Sequence, residues 1–281
     1  MTEVLLSGLA MGESPRWHDD RLWLGNWGTG EILAVDLDGR HEVVAHSPVP
    51  IPYSIDWLPS PDGRMLLVAG TRVLRPEPDG SLVPHADLGH VDRNGFNEIV
   101  VDGRGNAYVD GGGFDLMAGE TPAPGFVVLV RPDGTATQVA DGIEFGNGMA
   151  ITPDNSTLIV AESYGRRLSA FDIGADGGLA NRRVWADLGE DPPDGICLDA
   201  EGAVWYASVP GRRCVRVREG GEVLDVVEAD RGCFACVLGG PDGTTLFVTA
   251  AEWRGVEGID FGRRTGQVLV ASAPAPAAGF P

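Results

Sequence analysis

Four polar side chains recur at equivalent places in a repeated sequence pattern, and their types suit a hard metal ion. They are Glu13, Asn97, Asn147 and Asp194. Hard divalent cations prefer carboxylate and amide oxygens as ligands. The two carboxylates would balance the charge of one such ion, and the two amides would add neutral oxygens. Because no Cys or His occupies an equivalent place in the pattern, a softer metal is disfavoured.

The pattern itself consists of six short apolar runs, each introduced by a turn or polar stretch. Alternation with period two indicates strands, and a helical period is nearly absent. The spacing of roughly 40 to 50 residues is typical of four-stranded propeller blades. We therefore predict an all-β fold, a six-bladed β-propeller with a central metal-binding channel, in which Val4 to Leu9 completes the last blade. The runs are centred near Trp23, Leu66, Tyr108, Ile159, Trp205 and Phe247.

The innermost strand of each propeller blade lines the central channel, so equivalent positions of all blades meet at one axis. Two carboxylates meeting there would repel each other unless a cation or a proton intervened. The alternative is that these side chains only satisfy backbone groups or ordered water. The six equivalent positions are Glu13, Ser54, Asn97, Asn147, Asp194 and Ala235.

Length and composition set broader limits. The 281 residues are 43% hydrophobic and 22% charged, as in an ordinary globular protein. A propeller closes on itself, so we expect residues 1–281 to form one domain, with a frayed Pro- and Ala-rich tail from about 272 to 281.

The net charge of −20 argues against a nucleic-acid partner. No apolar run reaches the ~20 residues of a membrane span, and no signal peptide is recognisable. We expect a cytoplasmic protein of undetermined oligomeric state.

The four cysteines are Cys197, Cys214, Cys233 and Cys236. The last two form a single C-x-x-C pair, which is weak evidence for zinc without a second pair or added histidines. We expect reduced, structural cysteines.

Some segments depart from the regular blade pattern. The loops at residues 46–54 and 110–125 are long for hairpin connections, and long loops on a rigid scaffold often cover a site. Near the C-terminus, residues 257–263 and 266–272 resemble a final outer hairpin. Four aromatic residues near strand ends either line an apolar pocket or pack between blades, namely Trp27, Tyr53, Phe114 and Phe145.

Several sequence segments, taken in order, resemble those of a known family. They are GESPRW from Gly12, FNEIVVD from Phe96, FGNGMAITPD from Phe145 and PDGICLD from Pro193. From about Gly12 to Ala251 the chain resembles the senescence marker protein, gluconolactonase and luciferin-regenerating enzyme family. The resemblance implies a six-bladed propeller with one catalytic divalent cation, Ca²⁺ first and Mg²⁺, Mn²⁺ or Zn²⁺ as alternatives. Family members hydrolyse sugar lactones and related esters, and similar propellers hydrolyse organophosphates.

The resemblance also implies roles for single residues. Glu13, Asn147 and Asp194 match the metal ligands, and Asp194 matches the proposed general base. Asn97 matches an asparagine that contacts metal, water or substrate, so Asn97 and Asn147 are also candidates for substrate binding. Gly95 stands where sugar-lactone members often carry an arginine, and Glu98 stands where many carry aspartate. These departures favour a less polar lactone or ester.

Together these features predict a metal-dependent hydrolase of a small-molecule lactone or related ester. The cation would polarise the carbonyl, and Asp194 would act as general base. One alternative is organophosphate hydrolysis, or a pathway-specific isomerisation or hydrolysis, in the same site. A propeller that only binds a protein partner is the other alternative.

Overall fold

The structure is a computed structural model that describes residues 2–280. Its strands form six antiparallel sheets of four strands each. In chain order the strands are β1 (Glu3–Leu9), β2 (Met11–His18), β3 (Arg21–Trp27), β4 (Glu31–Val35), β5 (His41–His46), β6 (Tyr53–Trp57), β7 (Met65–Ala69), β8 (Arg72–Pro76), β9 (Leu82–Asp87), β10 (Ile99–Val101), β11 (Ala107–Gly111), β12 (Gly125–Val130), β13 (Ala136–Ile143), β14 (Gly146–Ile151), β15 (Thr157–Glu162), β16 (Arg167–Ile173), β17 (Leu179–Asp187), β18 (Ile196–Leu198), β19 (Val204–Ser208), β20 (Arg213–Val217), β21 (Val223–Glu228), β22 (Gly232–Gly239), β23 (Thr245–Ala251) and β24 (Gly266–Ser272). The six sheets are the blades of the predicted β-propeller, with β2, β6, β10, β14, β18 and β22 innermost.

The turn that joins the inner strand of a blade to its second strand is specified by Asp and Gly residues. In the third blade Gly105 has a φ of 83° and its N–H donates to the carbonyl of Asp102 at 3.0 Å. The Asp102 carboxylate accepts from the N–H of Asn106 at 2.8 Å. The fifth blade repeats this turn with Asp199 and Gly202. An Asp that bonds its own backbone and a Gly with positive φ together specify such a hairpin.

The sixth blade is completed by the first strand of the chain. β1 pairs antiparallel with β24, with Glu3 opposite Val270 and Leu9 opposite Gly266. This confirms the predicted closure, in which an N-terminal strand joins the last blade.

The expected strand at residues 257–263 is wrong. This segment contains two 3₁₀ turns, Val256–Gly258 and Phe261–Arg263. The reason is that β1 already occupies the outer place beside β24. Among residues 2–280 no helix has the length and apolar character needed to cross a membrane.

The core is divided into apolar clusters that lie between neighbouring blades. One cluster between the fifth and sixth blades contains Trp205 and Leu246 together with all four cysteines. The cysteines are unpaired and buried. Burial raises the pKa of the thiols of Cys197, Cys214 and Cys236 well above its usual range, so these groups stay neutral. They are packing residues, as expected.

The C-terminal segment differs from the frayed tail expected from about residue 272. The Phe280 N–H donates to the carbonyl of Ile151 at 2.9 Å, and Ala278 donates to Leu198 at 3.1 Å. Phe280 also packs against the apolar cluster that contains Ile151. Because Ile151 and Leu198 are the last residues of β14 and β18, the tail crosses the propeller end away from the starts of these strands. Backbone hydrogen bonds and one aromatic side chain fix a segment that composition alone presents as loose.

Candidate functional site

A cavity of about 350 Å³ lies at the end of the channel where the inner strands begin. All four predicted site residues, Glu13, Asn97, Asn147 and Asp194, line it. They come from the first, third, fourth and fifth blades. The two remaining equivalent positions, Ser54 and Ala235, are buried and do not line the cavity.

Glu13 lies in β2 and is buried at the channel wall, with 7% exposure. Its carboxylate accepts a backbone hydrogen bond from Ser14 at 3.3 Å. Burial raises the pKa of Glu13 well above its usual range, and the neighbouring carboxylates of Asp194 and Glu98 raise it further. A carboxylate in this position is therefore costly to ionise without a nearby cation.

The backbone of Asp194 is fixed by hydrogen bonds to two other segments. Its N–H donates to the carbonyl of Ala207 at 2.8 Å, and its carbonyl accepts from the N–H of Gly148 at 3.1 Å. Burial raises the pKa of Asp194 well above its usual range, the charge of Glu98 adds to this, and a hydrogen bond from the Asn147 side chain opposes it. Two rigid blades thus hold a carboxylate whose ionised form has few compensating partners.

Asn147 is placed by a short chain of contacts. Its amide Nδ2 lies 3.5 Å from the Ser163 hydroxyl, a long hydrogen bond. The hydroxyl donates in turn to the carbonyl of Pro193 at 2.7 Å, next to Asp194. Ser163 therefore links the orientation of Asn147 to the segment that carries Asp194.

Asn97 precedes β10 and is fixed through Asp110. The N–H of Asn97 donates to the Asp110 carbonyl at 3.1 Å, and the N–H of Glu98 donates to the Asp110 carboxylate at 2.6 Å. Asp110 is fully buried, and burial raises its pKa well above the usual range; the hydrogen bond from the Glu98 N–H opposes this shift, and the charge of the Glu98 carboxylate adds to it. Asp110 thus positions the segment that brings Asn97 and Glu98 to the channel.

A buried polar network stands behind the cavity, and the sequence reasoning did not assign it. Arg16 donates to the carboxylate of Glu98 at 3.1 Å and to the carbonyl of Ile99 at 2.6 Å. The Ser14 hydroxyl approaches the same carboxylate at 3.4 Å, and the Arg16 guanidinium lies 3.7 Å from Asp56. The motif segments that contain Ser14, Arg16 and Glu98 were recognised, but only the contact between blades shows that these residues pair.

The remaining wall of the cavity is mostly apolar. Of the four aromatic residues with an open role, Trp27, Phe114 and Phe145 line it. Tyr53 does not, because it is buried and its hydroxyl donates to the carbonyl of Glu31 at 2.8 Å.

Both unusual loops contribute to the lining, the first through Ile51 and Pro52 and the second through Gly112 and residues 114–117. A third segment, which carries Trp253, Val256 and Ile259, was not anticipated.

Gly95 lines the cavity with a φ of 89°, a conformation that side chains rarely adopt. Arg93, two residues earlier, is exposed and does not line it. Within the described part of the chain, residues 2–280, no Lys, Arg or His lines this cavity. The backbone conformation at Gly95 disfavours a side chain there, and the described lining contains no basic residue.

The donor set of the cavity fits a hard cation. Glu13 and Asp194 supply charge, while Asn97 and Asn147 supply amide oxygens, and oxygen donors of this kind suit Ca²⁺ or Mg²⁺. Across residues 2–280 no group of three or more His, Cys, Asp or Glu is arranged as a metal site. A cation here would thus depend on the two amides and on water as well as on the carboxylates. Two carboxylates with raised pKa values at one cavity are the observation that favours such an ion: the charges of Asp194 and Glu98 add to the effect of burial on the pKa of Glu13, and the charge of Glu98 adds to it for Asp194.

Comparison with known proteins agrees with this geometry. Residues 11–252 match the family described as "SMP-30/Gluconolactonase/LRE-like region". The chain belongs to this family. The match spans the first inner strand through β23 and so includes all four site residues.

Individual relatives are distant but cover nearly the whole chain. Pentonolactonase XacC from Haloferax volcanii is 26% identical over 274 residues, which is 89% of this chain and 85% of the relative. Luciferin-regenerating enzyme has a TM-score of 0.84 at 21% identity and covers 99% of this chain and 98% of its own. Regucalcin from Agrobacterium tumefaciens, described as a calcium-binding protein, has a TM-score of 0.80 at 22% identity, with coverages of 99% and 95%. The two structural likenesses establish the shared propeller fold.

Proposed function

We propose that this protein is a divalent-cation-dependent hydrolase of a lactone or related ester. Membership of the SMP-30/gluconolactonase/LRE-like family and the relative named pentonolactonase indicate a lactonase-type hydrolase. The observation that carries the proposal is the placement of two carboxylates, the buried Glu13 and the part-buried Asp194, beside two amide side chains in one largely apolar cavity.

Glu13, Asn147 and Asp194 would hold the cation, with Asn97 as a fourth or water-bridged contact. Ca²⁺ is the first candidate because all donors are oxygens, and a propeller of the same fold is described as calcium-binding. Mg²⁺, Mn²⁺ and Zn²⁺ are the alternatives. When bound, such an ion supplies Lewis-acid polarisation of a carbonyl.

The chain's own residues supply the remaining chemistry. Asp194 takes a proton from the attacking water as the water oxygen adds to the carbonyl carbon, and returns it to the leaving alkoxide oxygen. Its fixed backbone keeps the carboxylate oriented for both transfers. The amide groups of Asn97 and Asn147 orient the carbonyl oxygen and the water. The apolar wall excludes bulk water, which strengthens each of these polar contacts.

The free thiols of the cysteines indicate the cellular compartment that suits the protein. Four buried, unpaired cysteines suit a reducing compartment, and we propose the cytoplasm.

The test is hydrolysis of δ-valerolactone, phenyl acetate and a phosphotriester by chelator-treated protein, before and after addition of Ca²⁺ and, in parallel, of Mg²⁺, Mn²⁺ or Zn²⁺. We expect lactone or ester turnover that the chelator abolishes and Ca²⁺ restores. Turnover of the phosphotriester alone would favour the alternative chemistry in the same site. Metal-independent turnover, or none with any of the four cations, would overturn the proposal.

A further inference from the structure

We infer that the substrate is an uncharged lactone or ester that carries an aromatic or similarly flat apolar ring. This inference rests on the proposed hydrolase and specifies its substrate class. The ring would lie against Phe114, Phe145 and Tyr164, which form one wall of the cavity.

These three side chains form a packed aromatic cluster. The rings of Phe145 and Tyr164 are stacked, with centroids 4.6 Å apart and an interplanar angle of 14°. Phe114 lies 5.7 Å from Phe145 and 6.3 Å from Tyr164. Phe145 adopts a φ of 59°, which is uncommon for a bulky residue. A bulky side chain held in a strained turn beside a site is a typical sign of a functional constraint.

Other aromatic residues from the first and sixth blades also line the cavity. The indole N–H of Trp27 already donates to the carbonyl of Tyr53 at 2.7 Å. Phe234 and Trp253 pack edge to face, with centroids 5.7 Å apart. These side chains therefore add mainly apolar surface, and the cavity of about 350 Å³ has the size of a small-molecule site.

Among residues 2–280 the same lining has no charged donor, and its neutral side-chain donors include the amides of Asn94, Asn97 and Asn147. The Ser163 hydroxyl donates to Pro193, so its proton is already used. No basic side chain among residues 2–280 reaches the lining, and Asp115 adds a further acidic group. A polyhydroxylated lactone would find no charged donor among the lining side chains for its hydroxyl oxygens, and an anionic substrate would find no basic side chain to balance its charge. Both classes are therefore disfavoured.

The apolar surface continues to the mouth of the cavity. Met117 is 53% exposed, Tyr164 49% and Trp253 38%, and all three line the cavity. Exposed apolar groups concentrated at a cavity mouth typically mark a binding surface for an apolar ligand.

Matched ligands test the inference with and without turnover. Dihydrocoumarin and δ-valerolactone share the six-membered lactone ring and differ by the fused aryl ring. Their lactams, dihydroquinolinone and δ-valerolactam, resist hydrolysis and report binding alone. We expect the wild-type protein to favour the aryl member of each pair by about 10- to 100-fold, the range given by burial of one ring. D-Glucono-δ-lactone should be a poorer substrate than dihydrocoumarin.

The variants Tyr164→Ala and Tyr164→Phe separate the ring from its hydroxyl. Tyr164→Ala should lower the aryl-to-alkyl ratio roughly 10-fold in both kcat/KM and lactam affinity, whereas Tyr164→Phe should keep the wild-type ratio. An unchanged ratio in Tyr164→Ala, or a wild-type preference for the sugar lactone, would overturn the inference. Selective lactam binding without turnover would instead contradict the proposed hydrolase and leave the aromatic pocket standing.

Discussion

The guanidinium of Arg16 donates to the carboxylate of Glu98 at 3.1 Å, and both side chains are buried behind the candidate site. This ion pair distinguishes Glu98 from the other two carboxylates near the channel axis. Glu98 has a hydrogen-bonded cation, whereas Glu13 and Asp194 have no cation in hydrogen-bond contact among residues 2–280. The pair therefore leaves two negative charges for one divalent ion.

Removal of the Arg16 charge should destabilise the fold strongly. Arg16→Met leaves the buried carboxylate of Glu98 without its cationic partner and removes the positive charge that lies 3.7 Å from Asp56. We therefore expect a loss of about 3–5 kcal/mol in the free energy of unfolding. Arg64→Met, which breaks an exposed ion pair with Asp62, should change the free energy of unfolding far less than Arg16→Met does. Urea denaturation of both variants measures the difference, and equal losses would contradict the role given to Arg16.

Asp56 should give the protein a measurable pH dependence of stability. Burial raises its pKa from the ordinary value of 3.8 to about 6, and Arg16 partly opposes the shift. Because the folded state binds this proton more tightly, the associated stability is complete below pH 3.8 and is lost as the pH rises to about 6. The loss is of the order of 3 kcal/mol. Asp56→Asn has no ionisable group at this position and should therefore lose less stability than wild type between pH 4 and 7. Parallel stability curves would refute this.

Much of the architecture could be predicted from the sequence, because the repeated Asp and Gly turns and the alternating strands are local signals. The register of those turns also selected Glu13, Asn97, Asn147 and Asp194 before their spatial proximity was known, and all four line one cavity. Their functions as ligands or base stay predictions.

Other features depend on contacts between distant segments. The pairing of Arg16 with Glu98 joins two blades, so the spacing of residues in the sequence does not predict it. The segment around Trp253 lines the cavity, while β24 and β1 hold the two outer places of the sixth sheet. The tail looks disordered by composition, but its order comes from hydrogen bonds to Ile151 and Leu198.

The tail supplies a third prediction. Phe280→Ala should lower the free energy of unfolding by about 1–3 kcal/mol, since a partly buried aromatic side chain leaves an apolar cluster. Ser272→Ala, at an exposed position, should change it by less than about 0.5 kcal/mol. Thermal denaturation compares the two variants. If Phe280→Ala matches Ser272→Ala, the tail does not stabilise the propeller.

A fourth prediction separates catalyst from ligand at Asp194. Asp194→Asn keeps an oxygen but loses the basic site, so turnover should fall by about 10²–10⁴-fold even at saturating Ca²⁺. Glu13→Gln removes one negative charge without removing the base, and excess Ca²⁺ should restore most of its turnover. The measurement is lactone turnover against Ca²⁺ concentration for both variants. Full recovery of Asp194→Asn would place the base elsewhere.

Calorimetric titration of Ca²⁺ into chelator-treated protein tests the central claim most directly. We expect one ion per wild-type chain, and binding about 100-fold weaker or absent in Asp194→Ala. Asp62→Ala, which removes an acidic residue outside the cavity, should bind like wild type. If the wild-type protein binds no divalent cation, or if Asp194→Ala binds one equally well, the cation site at Glu13, Asn147 and Asp194 is contradicted.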